Sequence, residues 1–367
     1  MTARSGALDA ARGVGILLVV GAHALIPPIR EHSAPLLSAW SVVYAFHMSL
    51  FFVIAGQCFE LSGAARPGRS FGQYTRARAR KLLLPYLIYS LLVYLALFCG
   101  RLVPRVGALL TASGYPAGTV WDALRDVLLV RDNAGSHLWF LPRMFLVSCL
   151  SRLLGRHAAR WYGLAAAFAL SCLPEWGYLG WFLRTLGAYM LYFNVGRRFS
   201  PAFSSAPAPA SASVPSAPSY GRDALSAALH AAVFSALWFL RAPAVNAISD
   251  ALGYAHALTL ATNGAFAALQ ALAGSGAVLS LGRLAAGCTA LTRLGQNAFP
   301  VYLLHQPFLT TGVAAALLLF VGAPVAVCVV AAFTVGLAVP LLLDRFVLKR
   351  SRVLSYLLLG EKNNGAS

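Results

Sequence analysis

The sequence predicts an all-α, polytopic membrane protein of about ten transmembrane helices with both termini in the cytoplasm. Three observations carry that expectation. The first is composition: of 367 residues, 59% are hydrophobic and only 11% charged, where a soluble domain carries about 25% charged residues. The second is a regular series of apolar runs, at 11–27, 39–61, 82–99, 137–154, 161–176, 180–196, 223–241, 255–274, 297–320 and 323–343. Several are shorter than the roughly 20 residues a spanning helix needs, so these extend further or lie partly at the interface. The third is charge placement. With the N-terminus inside, 21 of the Lys and Arg residues fall on cytoplasmic segments and six on outer ones, as the positive-inside rule requires.

The net charge of +18 would suit a nucleic-acid binder, but the basic residues sit between apolar runs. The expected partner is therefore the bilayer of a cytoplasmic (inner) membrane, and no nucleic acid. The cysteines, Cys58, Cys99, Cys149, Cys172, Cys288 and Cys328, form no CxxC pair and mostly lie in apolar runs. They read as small buried hydrophobes rather than disulfides or a metal site. Arg4, Arg12 and Ala22-His23-Ala24 fit a cleaved signal only loosely, since Asp9 is foreign to a signal's basic segment. Residues 1–348 form one membrane domain. A Pro/Ser/Ala-rich segment within it, about 199–221, reads as a flexible cytoplasmic loop, and a short basic cytoplasmic tail follows at 349–367.

The first run, "LDAARGVGILLVVGAHALIP", carries Asp9, Arg12 and His23. Arg12 and His23 are eleven residues apart. On a helix that is three turns plus roughly 20°, so they share one face about 16 Å apart along the axis. Asp9 is placed to pair with Arg12. Ionisable residues inside a membrane helix point to function, although an interfacial ion pair and a satisfied core histidine would also fit. The second run, "YAFHMSLFFVIAGQCF", adds His47, and Gly56 as either a helix-contact position or simply a small packing residue. "YTRARARKLLLPYLIY" crowds Arg76, Arg78, Arg80 and Lys81 at the inner start of the third run. That cluster reads as a topology determinant or as a polyanion site, since arginine grips phosphate with two bonds. The outer loop of about 100–136 is a candidate for part of an acceptor site. "GSHLWFLPRMF" then sets His137, Trp139 and Arg143 at the outer end of the fourth run. "LGQNAFPVYLLHQPF" sets Asn297, Tyr302 and His305 on the ninth, where Pro300 introduces a kink and Asn297 and His305 lie about 80° apart.

In this order the segments resemble the acyltransferase family 3 membrane proteins, which O-acylate cell-surface glycans and related molecules. "LDAARG" and "VVGAH" are similar to that family's first-helix pattern, including its Arg-to-His spacing. "FHMSLFFVIAG", "RARKLLLPY", "HLWFL" and "LGQNAFPVYLLH" are similar to its later motifs. Ser49 stands where proline is usual, Ala55 where serine is usual, and Ala298 where serine is common.

The resemblance implies a compact membrane O-acyltransferase. It would move an acyl group, acetyl foremost, from acyl-CoA to a hydroxyl of a cell-envelope glycan or lipid-linked sugar. In this reading Arg12, with Arg78, Arg80 and Lys81, holds the phosphates of coenzyme A, and Asp9 orients Arg12. His23 is the base or the acyl acceptor. His47, His137, Trp139, Arg143, Asn297, Tyr302 and His305 are acceptor-side candidates. No metal or permanently bound cofactor is called for. Assembly as a homo-oligomer is left open, as is the alternative of a secondary transporter for an anionic solute, which would line its passage with the same residues.

Overall fold

The computed structural model describes residues 5–64, 68, 70–112, 119–130, 136–201, 220–254 and 256–361. Nearly all of the 199–221 segment and the end of the basic tail lie outside the described residues. Among the described residues every regular element is helical.

α1 (Gly6–Ala24), α2 (Pro27–Arg30), α3 (Ala34–Tyr44) and α4 (His47–Leu61) open the chain. The second apolar run is thus two helices that meet at residues 45–46. α5 (Phe71–Arg101) is followed by two short helices, α6 (Pro104–Ala112) and α7 (Val120–Leu129). α7 starts with a capping box in which Thr119 and Asp122 bond each other's backbone N–H, and the bonds that the Thr119 backbone N–H and hydroxyl donate to the Asp122 carboxylate hold it below its ordinary pKa. A 3₁₀ turn, Ser136–Trp139, leads into α8 (Phe140–Leu153), and α9 (Trp161–Ser171) and α10 (Gly177–Arg198) follow. α11 (Tyr220–Leu252), α12 (Ala257–Leu284), α13 (Thr289–Gln296) and α14 (Ala298–Leu304) come next. After α14 the stretch His305–Gly312 is wound more widely, and the helix resumes at α15 (Val313–Ala316). α16 (Val325–Leu343) and α17 (Arg352–Leu359) complete the chain, so the basic tail contains a helix, capped by the Ser351 hydroxyl.

Seven helices among the described residues are long and apolar enough to cross a membrane: Gly6–Ala24, Ala34–Leu61, Phe71–Arg101, Tyr220–Leu252, Ala257–Leu284, Ala298–Val321 and Val325–Leu348. This is the make-up of a multi-pass membrane protein. The other three apolar runs are also helical, at α8, α9 and α10. α8 has 14 residues and α9 has 11, short of the length a perpendicular span needs. α10 carries Arg184, Arg197 and Arg198.

The chain falls into two compact units. One is built from Met1–Gly15, Val42–Phe71 and Leu146–Gln296, the other from Ile16–Ser41, Gly72–Phe145 and Asn297–Ser367. In the first, α4 and α10 cross at glycines from both sides. A Cβ on Gly56 would lie 1.9 Å from the Phe193 carbonyl oxygen, and one on Gly196 would lie 2.1 Å from that of Val53. Only glycine permits so close a backbone contact, as is common where membrane helices pack, and of the two readings of Gly56 this is the helix-contact one. In the second unit, a core of Ala24, Leu25, Ile26, Ile29, Ala314, Ala315, Cys328 and Ala332 joins the end of α1 to α15 and α16.

Candidate active site

The second unit holds a cluster of three histidines. His23 lies in the last turn of α1, His137 in the 3₁₀ turn before α8, and His305 where α14 gives way to the wider winding. The chain breaks there for a local reason. Gln306 precedes Pro307, and a residue before proline is pushed out of the helical region; its φ of −114° and ψ of 155° are extended. The break leaves His305 at the end of α14, with its ring against the carbonyls of its own last turn.

His305 Nδ1 lies 3.0 Å from the Val301 oxygen and 2.8 Å from the Tyr302 oxygen. Carbonyls only accept, so Nδ1 carries the proton. In neutral His305 the lone pair is therefore on Nε2. His23 Nδ1 lies 2.9 Å from that Nε2 and donates to it. In neutral His23 the lone pair is then on Nε2. One backbone turn thus sets the tautomers of two imidazoles in series, since the hydrogen bond made by one ring nitrogen fixes the role of the other. The rings stack with centroids 5.1 Å apart. His305 is 0% exposed, whereas His23 is only half-buried. His23 is thus the more exposed ring of the pair, and His305 the enclosed one.

His137 packs edge-on against His305 at 5.2 Å. It donates from Nε2 to the Leu303 oxygen at 3.3 Å, and its own carbonyl accepts from the Tyr302 hydroxyl at 2.5 Å. Of the acceptor-side candidates, the structure thus gathers His137, Tyr302 and His305 around His23. Trp139 stacks edge-on with Phe140, and Arg143 is buried one turn along α8. Asn297 is not part of this cluster. Its side chain accepts from Lys349, which also bonds Asp344. In the other unit His47 donates to the Val43 oxygen at 3.0 Å and lies beside Tyr44.

The first unit holds the guanidinium of the opening run. Arg12 donates to Asp9 Oδ1 at 2.6 Å and to the Cys58 sulfur at 2.8 Å, and Gln296 donates to Asp9 Oδ2 at 3.2 Å. Asp9 is 1% exposed while the Arg12 side chain is 27% exposed. A buried carboxylate with both oxygens bonded thus aims a partly exposed guanidinium. Gln296 reaches Asp9 because α13 approaches α1 closely: a Cβ on Gly295 would fall 1.7 Å from the Asp9 carbonyl oxygen. Cys58, read in the sequence as a small buried hydrophobe, is instead half-buried and bonded to Arg12, and Gln296 was missed because no pattern marks it out.

The basic residues of α5 are divided in their contacts. Arg78 donates to the Tyr74 hydroxyl at 3.0 Å and lies over its ring, and Arg80 donates to the Gly360 oxygen at 3.3 Å, against the end of α17. Lys81 is exposed. No group of three or more His, Cys, Asp or Glu placed to hold a metal ion occurs among the described residues.

No solved structure matches the chain. The nodulation protein NolL of Mesorhizobium japonicum is 30% identical over 175 residues, which is 47% of this chain and 42% of that protein, so the chain spans less than half of its length. The model of the acyltransferase domain family Acyl_transf_3 matches residues 5–343, the span that holds the histidine cluster and the Asp9–Arg12 pair, and the chain belongs to that family.

Proposed function

We propose that this protein is a membrane O-acyltransferase that moves an acyl group, acetyl foremost, from acyl-CoA to a hydroxyl of a cell-envelope glycan or lipid-linked sugar. The observation that supports it most is the His305–His23 pair, which assigns the lone pair of neutral His23 to Nε2, on the more exposed imidazole of the two. In the proposed step His23 Nε2 takes the proton of the acceptor hydroxyl as its oxygen attacks the thioester carbonyl. The bond from His23 Nδ1–H to His305 steadies the imidazolium that results. The tetrahedral intermediate collapses, the C–S bond breaks, and the coenzyme A sulfur leaves with the proton His23 had taken. Ester and thiol are the products, and His23 is restored. Arg12, aimed by Asp9, supplies a charge-assisted contact for a donor phosphate; Arg78, Arg80 and Lys81 are separate candidates for such a contact. α1 carries both Arg12 and His23.

The test is thioester consumption. Purified protein is given radiolabelled acetyl-CoA and a membrane fraction containing envelope glycans. The expected result is label in an alkali-labile ester on glycan or glycolipid, with matching release of free coenzyme A. Transport of an anionic solute without thioester cleavage would overturn the reading.

A further inference from the structure

The first unit also contains a cavity that the acyl-transfer reading does not use. It lies along the hairpin of α11 and α12 and is lined by Trp238, Arg241, Val245, Asn246, Asn263 and Gln270, with a volume of about 240 Å³. That is just below the roughly 300–1,000 Å³ of drug-sized ligand pockets, so it has room for one ring or headgroup and not a chain of them. The connection from α11 to α12 stands at one end. Asn246 and Asn263 are each six residues from the adjoining helix end, and Gln270 is seven residues beyond Asn263. The cavity therefore deepens by about 10 Å from Asn263 to Gln270.

Its polar groups have a surplus of donors. Arg241 offers five N–H groups. Asn263 Oδ1 takes two, from Nε at 3.0 Å and Nη2 at 2.9 Å. Asn263 is neutral, and no carboxylate among the described residues forms an ion pair with Arg241. At the deep end Gln270 is 1% exposed, and among the described residues nothing accepts from its Nε2. A buried amide N–H without an acceptor is costly. Such a group is completed by a bound molecule or by water. Asn246 adds an amide that both donates and accepts, as hydroxyls require, and Trp238 supplies an apolar wall.

We propose that this cavity binds a single carboxylated sugar ring, with the carboxylate on Arg241, a ring or substituent oxygen on Gln270 Nε2, and the apolar side of the ring against Trp238. The inference is independent of the acyl-transfer reading, because it concerns binding alone.

The test uses the full-length protein in nanodiscs, with methyl glucuronide, methyl glucoside and inorganic phosphate as probes in titration calorimetry or saturation-transfer NMR. Methyl glucuronide is expected to bind at least about 10-fold more tightly than the glucoside, as one charge-assisted contact implies, and more tightly than phosphate. Arg241→Gln should abolish that preference. Gln270→Met keeps the shape and removes the orphan donor. It should weaken glucuronide binding several-fold while leaving the melting temperature unchanged or raised. Equal binding of the two sugars, equal binding of phosphate, or no binding of glucuronide would each overturn the proposal. So would a Gln270→Met protein that melts lower yet binds glucuronide as before.

Discussion

At the scale of the residue, the chemistry turns on which nitrogen of each imidazole carries its proton. His23→Ala should reduce glycan acylation by about 10²–10⁴-fold, the usual worth of a general base, while coenzyme A binding persists. His23→Gln should be nearly as inactive, since an amide hydrogen-bonds but takes no proton. His305 is a positioning residue. His305→Ala should lower the turnover rate less than His23→Ala and shift its pH profile, because His23 is then no longer tied to one tautomer. An unchanged pH profile in His305→Ala would remove its positioning role, and near-wild-type rates in His23→Ala would end the catalytic assignment. Arg12 is tested by comparing two donors. Arg12→Lys preserves a cation for buried Asp9 but cannot fork onto phosphate. It should weaken coenzyme A more than a phosphate-free thioester, by up to the roughly 1.5–3 kcal/mol of a charge-assisted bond. Equal loss for both donors would make Arg12 structural.

At the scale of the element, the first unit is locked by a buried ion pair. The Arg197 side chain is 0% exposed and donates from Nε to Glu60 at 2.7 Å. Its Nη1 donates to the carbonyls of Ser151 and Gly155 and to Asn194 Oδ1, and its guanidinium lies over the Phe59 ring. One side chain on α10 thus ties the end of α4 to the end of α8, beside the glycine crossing of α4 and α10. Removing one partner of such a pair strands a buried charge and typically costs about 3–5 kcal/mol, whereas replacing both with apolar residues of similar size is often close to neutral. Glu60→Gln should therefore lower thermal stability in detergent sharply. Glu60→Met with Arg197→Met should recover most of the loss. A double variant no better than the single would mean that the backbone contacts of Arg197, and not its charge, hold the three helices.

At the scale of the whole molecule, composition and hydropathy made the helical, membrane-spanning class legible, because apolar length and basic flanks are local properties of the chain. The second run appeared continuous, since a two-residue break at residues 45–46 leaves hydropathy unchanged. The site was legible only in its parts. His23, Arg12 and Asp9 stand out as ionisable groups in an apolar run, but the His23–His305 bond joins residues 282 positions apart, and no spacing encodes that. Arg197 looked like one more positive-inside residue because position along the chain says nothing about burial. The same basic flanks still make a firm topological prediction on described residues. α12 has 28 residues and is about 42 Å long, enough to cross a hydrocarbon core of about 30 Å. The turn before it contains Tyr254, which is 65% exposed. The turn after it contains exposed Cys288, flanked by Arg283 and Arg293. With the basic side inside, and in a background lacking the other five cysteines, Cys288 should resist a membrane-impermeant maleimide in intact cells and react after permeabilisation. With Cys288 also replaced, Tyr254→Cys should react in intact cells. The opposite labelling would invert the orientation, and labelling of both in intact cells would show that α12 does not cross the membrane.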